Sequence, residues 1–475
     1  MSDRTGPEGA PRIPRIAIVG GGPGGLMTAY RLQQRCSMPF EATLYEASSR
    51  LGGKILTRQF SSLPATYEAG AAELYDYSHI GEDPLRELVD QLGLDVKPMS
   101  GSSVVMHDRA LRDFDDVGRA YGEPARQALL AFDARAKQWT DPQEYYDSDW
   151  DESNADPMAA RSFHDELAQV PDEAARRYLR TLVHSDLATE PHRTSASYGL
   201  QNYLMNDPGY MHLYTIVGGL ERLPRELAKR VAARILLRQP VLRVERTADE
   251  ALRVLSHRHG TIASEEYDFV VVALPNACIP LIEWGGDALD EAMHRHCVHY
   301  DYPAHYLRVS VLFREMFWKE AFQDSYMMLD AFGGCCLYDE SSRNGCPSAG
   351  VLGWLLAGDA AMIAGNHADE HLVRMALDSL PSFLQHGREL FVEGQVHRWI
   401  GSVNGMPGGS PVLDMESRHI PQPAQPNLFV VGDYLFDSTL NGVLDSADFV
   451  AECLAEMIEE RSSSQSTESL YTAAL

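Results

Sequence analysis

Arg15-Ile16-Ala17-Ile18-Val19-Gly20-Gly21-Gly22-Pro23-Gly24-Gly25-Leu26 is the stretch on which the fold turns. An apolar β-run enters it, and a helical pattern from Met27 to Gln34 leaves it. Gly20, Gly22 and Gly25 match G-x-G-x-x-G, and Pro23 and Gly24 join them as cofactor-binding candidates. Gly20 permits a tight turn, Gly22 lets the backbone approach a pyrophosphate, and Gly25 lets helix and strand pack closely. The helix N-terminus offers unpaired N–H groups and a positive dipole end to the phosphates. A second strand, Ala42-Thr43-Leu44-Tyr45-Glu46, ends in an acid where a ribose hydroxyl needs an acceptor. Strand, helix and acid in register predict a dinucleotide site.

The chain has 475 residues, 44% of them hydrophobic, which predicts more than one domain. A formal charge of −27 argues against nucleic acid and against an anionic membrane surface as partners. No apolar run reaches the length of a membrane span, and Met1 to Pro14 is polar and Pro-rich without an apolar signal core. Seven cysteines without framework spacing suggest a reducing compartment, so the expected location is the cytoplasm. The Ser- and Thr-rich stretch from Arg461 to Leu475 reads as a mobile tail beyond a helix that ends near Glu460.

Further motifs narrow the nucleotide. After Glu46 come Arg50-Leu51-Gly52-Gly53-Lys54, a glycine pair flanked by cations, and then the loop Tyr67-Glu68-Ala69-Gly70-Ala71-Ala72-Glu73. Near the other end, Asn427-Leu428-Phe429-Val430-Val431-Gly432-Asp433 is a buried-strand pattern closing on Gly-Asp. Asn441-Gly442-Val443 then opens a helical run whose N-terminus can stabilise negative charge on a reduced flavin.

In these motifs the chain resembles the flavin-dependent amine oxidase superfamily, over roughly residues 13 to 460. Its members include monoamine, polyamine and L-amino acid oxidases. The resemblance implies an α/β fold: a Rossmann-like FAD-binding domain of the amine-oxidase type, built from discontinuous segments, beside a mixed-sheet and helical substrate domain. The FAD domain is expected at residues 1–78, 214–298 and 398–460, and the substrate domain at 79–213 and 299–397. A small-molecule site at the domain junction is the expectation. The family also assigns an adenine contact to the backbone of a valine, here Val241 in Gln239-Pro240-Val241, which follows a helix predicted over Glu221 to Ala233. Tyr267 to Pro275 reads as a buried parallel strand.

The family chemistry is hydride transfer from the C–H beside an amine nitrogen to flavin N5, with imine and hydrogen peroxide as products and oxygen as the acceptor. Several members hold a water near N5 with a lysine ten residues before the tryptophan of a Phe-Trp pair. Counting back from Phe317-Trp318 reaches Arg308, the candidate catalytic residue. Arginine stays charged and donates in a fixed fork, so three roles are open: holding a water, clamping a substrate carboxylate, or a structural ion pair. The aromatic residues that flank the flavin in monoamine oxidases fall, by spacing, on Gly408-Gly409 and Thr439, neither of them aromatic. Trp399 remains as a substrate candidate. No cysteine lies between Asn404 and Pro411, where covalently flavinylated members carry theirs, so FAD is expected to be non-covalent.

Glu73 stands in a loop where L-amino acid oxidases usually place an arginine. It is expected to pair with Arg308, to meet a substrate amino group, or to join another network. Tyr75 and Tyr338 are substrate candidates, Tyr338 because amino acid oxidases use a carboxylate-binding tyrosine near there. His184 and Asp186 are a helix-end pair with substrate contact as the alternative. The tyrosines Tyr198, Tyr203, Tyr210 and Tyr214 suit packing or the pocket wall. His294, His296, His299 and His305 with Cys297 lack metal-ligand spacing, and no metal is expected.

These features predict a FAD-dependent oxidase of an amino acid or polar amine, with a homodimer as an allowed assembly. The Arg308 departure keeps a second outcome open: a flavin-dependent desaturase, dehydrogenase or decarboxylating monooxygenase of a biosynthetic pathway.

Overall fold

The computed structural model describes residues 12–473 except 102, 148–157, 159, 345–348, 408–412 and 437. The fold divides into two compact units. The first comprises Met1–Gly53, Pro224–Tyr300 and Leu413–Leu475, the second Lys54–Leu223 and Asp301–Val412.

The first unit is built on a five-stranded parallel sheet in the order Ala233–Leu236, Glu41–Tyr45, Arg15–Val19, Phe269–Val272, Leu428–Val430. Phe269, Val270, Val271 and Val272 are all fully buried, as a strand covered on both faces requires. The helix Pro23–Arg35 follows the first strand directly, with Pro23 in its first turn. The helix Leu440–Ala473 packs beside it. A separate four-stranded sheet carries Val241–Arg246, Leu252–Arg258, Thr261–Tyr267 and Glu283–Gly285. There a register shift interrupts the ladder between Val241 and Arg243.

The second unit has a seven-stranded mixed sheet in the order Phe391–Asn404, Pro303–Phe313, Gly350–Ala357, Cys335–Asp339, Tyr326–Leu329, Val104–Met106, Arg109–Leu111. A three-stranded sheet pairs Leu74–Asp76 and Val96–Met99 with His212–Ile216. Helices Pro84–Gln91, Phe114–Tyr121, Glu173–Leu187 and Ala196–Leu204 begin at Asp83, Asp113, Asp172 and Ser195, whose side chains accept backbone N–H groups of the first turn.

Several boundaries differ from those expected. Residues 54–78 fall in the second unit because Thr57–Gln59 pairs with Thr66–Glu68 and Leu74–Asp76 pairs with His212–Ile216. Residues 398–404 do so because Phe391–Asn404 runs the length of Pro303–Phe313. Within the acidic stretch after Thr140, Pro142–Asp147 is helical. The helix expected to stop near Glu460 continues to Ala473. Ser462 and Ser463 donate their hydroxyls to the carbonyls of Ile458 and Glu459, one turn back, so these polar residues stay within the helix. Among the described residues, no helix is long and apolar enough to cross a membrane.

Candidate active site

The first unit forms a cradle from glycines. Gly20 sits at φ +116°, and a Cβ there would lie 2.2 Å from the Ala273 carbonyl oxygen. A Cβ on Gly25 would lie 2.1 Å from the oxygen of Gly20. These two glycines are therefore demanded by packing alone. Gly22 differs, since a Cβ there would meet only the Cα of Gly53, at 3.7 Å. Gly53 itself sits at φ +51°. Gly22 is the N-cap of Pro23–Arg35; no side chain caps that end and its first turn holds no acid. N–H groups, a positive dipole end and missing side chains thus converge on one open place.

Glu46 stands at the rim. Its carboxylate accepts the N–H groups of Gly21 at 2.9 Å and Ser48 at 2.7 Å, one on each oxygen, and each oxygen retains capacity for a second donor. Gly52 N–H donates to the Gly21 carbonyl at 2.8 Å, which ties the paired-glycine turn to the first glycine loop. Arg50 donates to the carbonyls of Leu51 and Gly53 and so braces this turn.

At the late motif, Gly432 N–H donates to Ser446 Oγ at 3.2 Å, and His419 Nε2 lies 3.0 Å from the same oxygen. Asp433 Oδ1 accepts from Tyr434 N–H. Thr439 Oγ1 accepts from Gly442 N–H at 3.2 Å, and its carbonyl accepts from Val443, so Thr439 caps Leu440–Ala473. Asn441 lies in the same first turn. The Gly408-Gly409 position lies outside the described residues.

In the second unit, Lys54 Nζ donates to the Ser402 carbonyl at 2.9 Å. Gly70 packs so tightly that a Cβ would lie 1.9 Å from the Lys54 oxygen, which also accepts from Ala71 N–H. Trp399 Nε1 donates to the Ala69 carbonyl at 2.6 Å, so the indole braces this loop.

The same unit holds a cleft. Its polar lining is Glu73, Tyr75, Asp186, Asn206, Tyr326 and Tyr338. Met205, Met211, Leu213 and Met328 supply the apolar part. Tyr338 donates its hydroxyl to Glu73 Oε1 at 3.0 Å, while Glu73 Oε2 is buried without a hydrogen-bond partner. Burial, with Glu73 as the next cause, pushes the Asp186 carboxyl up to about 8, against a weaker opposing hydrogen bond from Asn206. Burial and the same two acids hold the Tyr75 hydroxyl well above its usual range. Two acids thus face one space, one of them with an oxygen to spare.

Arg308 does not pair with Glu73. It is 1% exposed, and its partner is Glu340, with Nη2 to Oε1 at 2.8 Å; Nη1 donates to the Gly70 carbonyl at 2.9 Å. Glu340 follows the strand Cys335–Asp339, two strands along the sheet from that of Arg308, and is itself fully buried. His184 contacts Glu190 and the Gly334 carbonyl, which leaves Asp186 as the cleft-lining member of that pair. Of the tyrosine stripe, Tyr203 bonds Asp133 and Tyr210 bonds the Thr140 carbonyl, and none of the four lines the cleft. His296 packs on Tyr434, and burial lowers it to about 3. Among the described residues, no group of three or more His, Cys, Asp or Glu could hold a metal ion.

Residues 23–455 match the family model for flavin containing amine oxidoreductases, which is most of the chain. The chain belongs to the flavin-containing amine oxidoreductase family. It is an FAD-dependent oxidoreductase. The cyclohexylamine oxidase of Brevibacterium oxydans shares its fold, with a TM-score of 0.70 at 19% identity over 94% of this chain and 100% of that one. A putrescine oxidase solved with putrescine does so with a TM-score of 0.71 at 17% identity over 93% and 99%. In sequence, polyamine oxidase 2 of Arabidopsis thaliana is 30% identical over 103 residues, which span 22% of this chain and 20% of that relative. The glycine cradle of the first unit fits FAD: uncapped N–H groups for the pyrophosphate, an acid at the ribose position, and no side chain at Gly22 or Gly53 to block approach.

The sequence missed Asn206, Tyr326 and the methionines of the cleft, as well as Glu340 and Arg343. They come from separate helices and strands, and only the folded sheet brings them together. A buried acid directly after a strand that already held a candidate tyrosine, Tyr338-Asp339-Glu340, was the one available signal.

Proposed function

We propose that the chain is an oxidase of a polar, cationic amine, with imine and hydrogen peroxide as products and oxygen as the acceptor. One observation carries this reading: Glu73 and Asp186 line the cleft of the second unit, and among the described residues no lysine or arginine does. A substrate carboxylate needs an opposing cation, whereas an ammonium group needs acceptors. The amine half of the expected activity is therefore favoured over the amino acid half.

Bound FAD supplies the acceptor for the hydride from the C–H beside nitrogen. The chain's own residues hold and orient the amine. Glu73 Oε2 and the Asp186 carboxyl receive an ammonium group, Asn206 steadies Asp186, and the methionines cover the alkyl chain. Asp186, with its carboxyl near 8, holds a proton at neutral pH when no cation faces it. A cation favours the carboxylate form, so binding at pH 7 expels that proton. The affinity of an inhibitor with a quaternary ammonium, whose own charge does not titrate, is expected to rise up to tenfold per pH unit, levelling near pH 8. Calorimetry in two buffers of different ionisation enthalpy reads the proton release directly; none at pH 7 would remove Asp186 from the site.

The activity test is peroxide release across diamines, monoamines and amino acids, with anaerobic bleaching of the flavin alongside. Diamines and other polar amines are expected to lead. Bleaching without peroxide would transfer the chain to the desaturase, dehydrogenase or decarboxylating monooxygenase reading. Acid precipitation is expected to leave all FAD in the supernatant, as non-covalent binding demands; a yellow pellet would contradict it.

A further inference from the structure

We propose that Arg308 and Arg343 are positioning residues that act through Tyr338 and the Gly70–Ala72 loop to fix the carboxylate of Glu73 on the cleft. The two guanidinium groups lie on the Tyr338 ring, their central carbons 4.9 and 4.8 Å from its centroid. Each also holds a carbonyl of the loop that carries Glu73: Arg308 Nη1 that of Gly70 at 2.9 Å, and Arg343 Nη1 that of Ala72. Glu340, fully buried, ties the pair together, with one oxygen 2.8 Å from Arg308 Nη2 and the other 3.6 Å from Arg343 Nε. That second oxygen also accepts the Glu68 N–H at 3.3 Å, at the start of the loop. The loop is held at its start, at Gly70 and at Ala72, and the clamped tyrosine then meets Glu73 at 3.0 Å.

Neither arginine lines the cleft, so neither touches a substrate held there. The arrangement explains why an arginine stands where related enzymes keep a lysine. A guanidinium can donate to a carbonyl and a carboxylate at once from a fixed plane, which a single ammonium cannot. One ionic cluster thereby sets the register of the recognition acid. The functional part of this inference rests on the amine reading, through Glu73; the mechanical part does not.

The test uses the FAD-loaded protein with Arg308→Lys, Tyr338→Phe and Glu73→Gln, singly and combined, and 1,4-diaminobutane as the amine. Arg308→Lys is expected to speed amide exchange across residues 69–75 about tenfold, with flavin content retained. It should raise KM about tenfold while kcat changes less than twofold, since a misplaced recognition group weakens binding first. Tyr338→Phe keeps the ring and removes only its hydrogen bond, so KM rises and exchange in the loop does not; this variant also serves if Arg308→Lys folds poorly. In the Glu73→Gln background Arg308→Lys should add nothing to KM, because both act on one interaction. Unchanged exchange in Arg308→Lys overturns the mechanical part, and multiplying effects of Arg308→Lys and Glu73→Gln overturn the coupling. Should Glu73→Gln alone leave KM unaltered, the amine reading fails, while the exchange measurement still decides whether the arginines brace the loop.

Discussion

Asp186→Asn is expected to raise KM for a short diamine about a hundredfold, because loss of one charged partner in an enclosed site forfeits about 2–3 kcal/mol. Flavin content should not change, since Asp186 lies in the second unit and the glycine cradle in the first. The same substitution carries a pH signature of opposite sign. Asp186 has a folded-state pKa of about 8, raised above its usual value of 3.8 by burial and by Glu73. Between those values the unfolded chain releases this proton while the folded chain keeps it, so the native protein loses stability as pH rises through that window. Asparagine removes the loss. The variant should therefore gain stability over the native protein from pH 5 to pH 8, even as it loses affinity. Denaturant unfolding at the two pH values, beside steady-state kinetics, measures both. A variant less stable than the native protein at pH 8, or one with unchanged KM, would refute the assignment.

Substitutions in the glycine loop should separate folding from cofactor binding. Gly20→Ala forces an L-residue to φ +116° with its Cβ 2.2 Å from a carbonyl oxygen, and Gly25→Ala places one 2.1 Å from another. Backbone strain and overpacking at Gly20, and overpacking alone at Gly25, should destabilise each by about 3 kcal/mol or more. Gly22→Ala meets no atom nearer than 3.7 Å in the protein. Its apoprotein should melt within a few degrees of the native one, yet its affinity for FAD should fall about a hundredfold, because the new methyl occupies the approach to the pyrophosphate. Thermal unfolding of the apoproteins and FAD titration by fluorescence separate the two effects. A Gly22→Ala protein that binds FAD normally would show that the cradle does not hold the pyrophosphate.

Much of the first unit was legible because its signals are local. The run from Arg15 to Leu26 encodes strand, turn and helix in twelve consecutive residues, and the Gly25 clash is with Gly20 within the same run. The apolar run around Phe269 to Val272 announces a strand covered on both faces in the same way. The second unit was less legible. Arg308 could be located by spacing, but not its partner, since Glu340 lies 32 residues away on another part of the sheet. The tail misled for a different reason: its Ser-rich start read as disorder, yet the hydroxyls of Ser462 and Ser463 return to carbonyls one turn back.

The amino-acid sequence by itself determined the nucleotide cradle, the parallel-sheet strands at the two ends of the chain and at Phe269–Val272, and the family, because backbone conformation and hydrophobic period are written in neighbouring residues. Only the tertiary structure decided which side chains line the cleft of the second unit. It paired Arg308 with Glu340, aimed Tyr338 at Glu73, and set Asp186 across the cleft. Charge is felt through space and burial, not along the chain, so which acids are neutralised by arginine and which are left facing a ligand follows from packing alone.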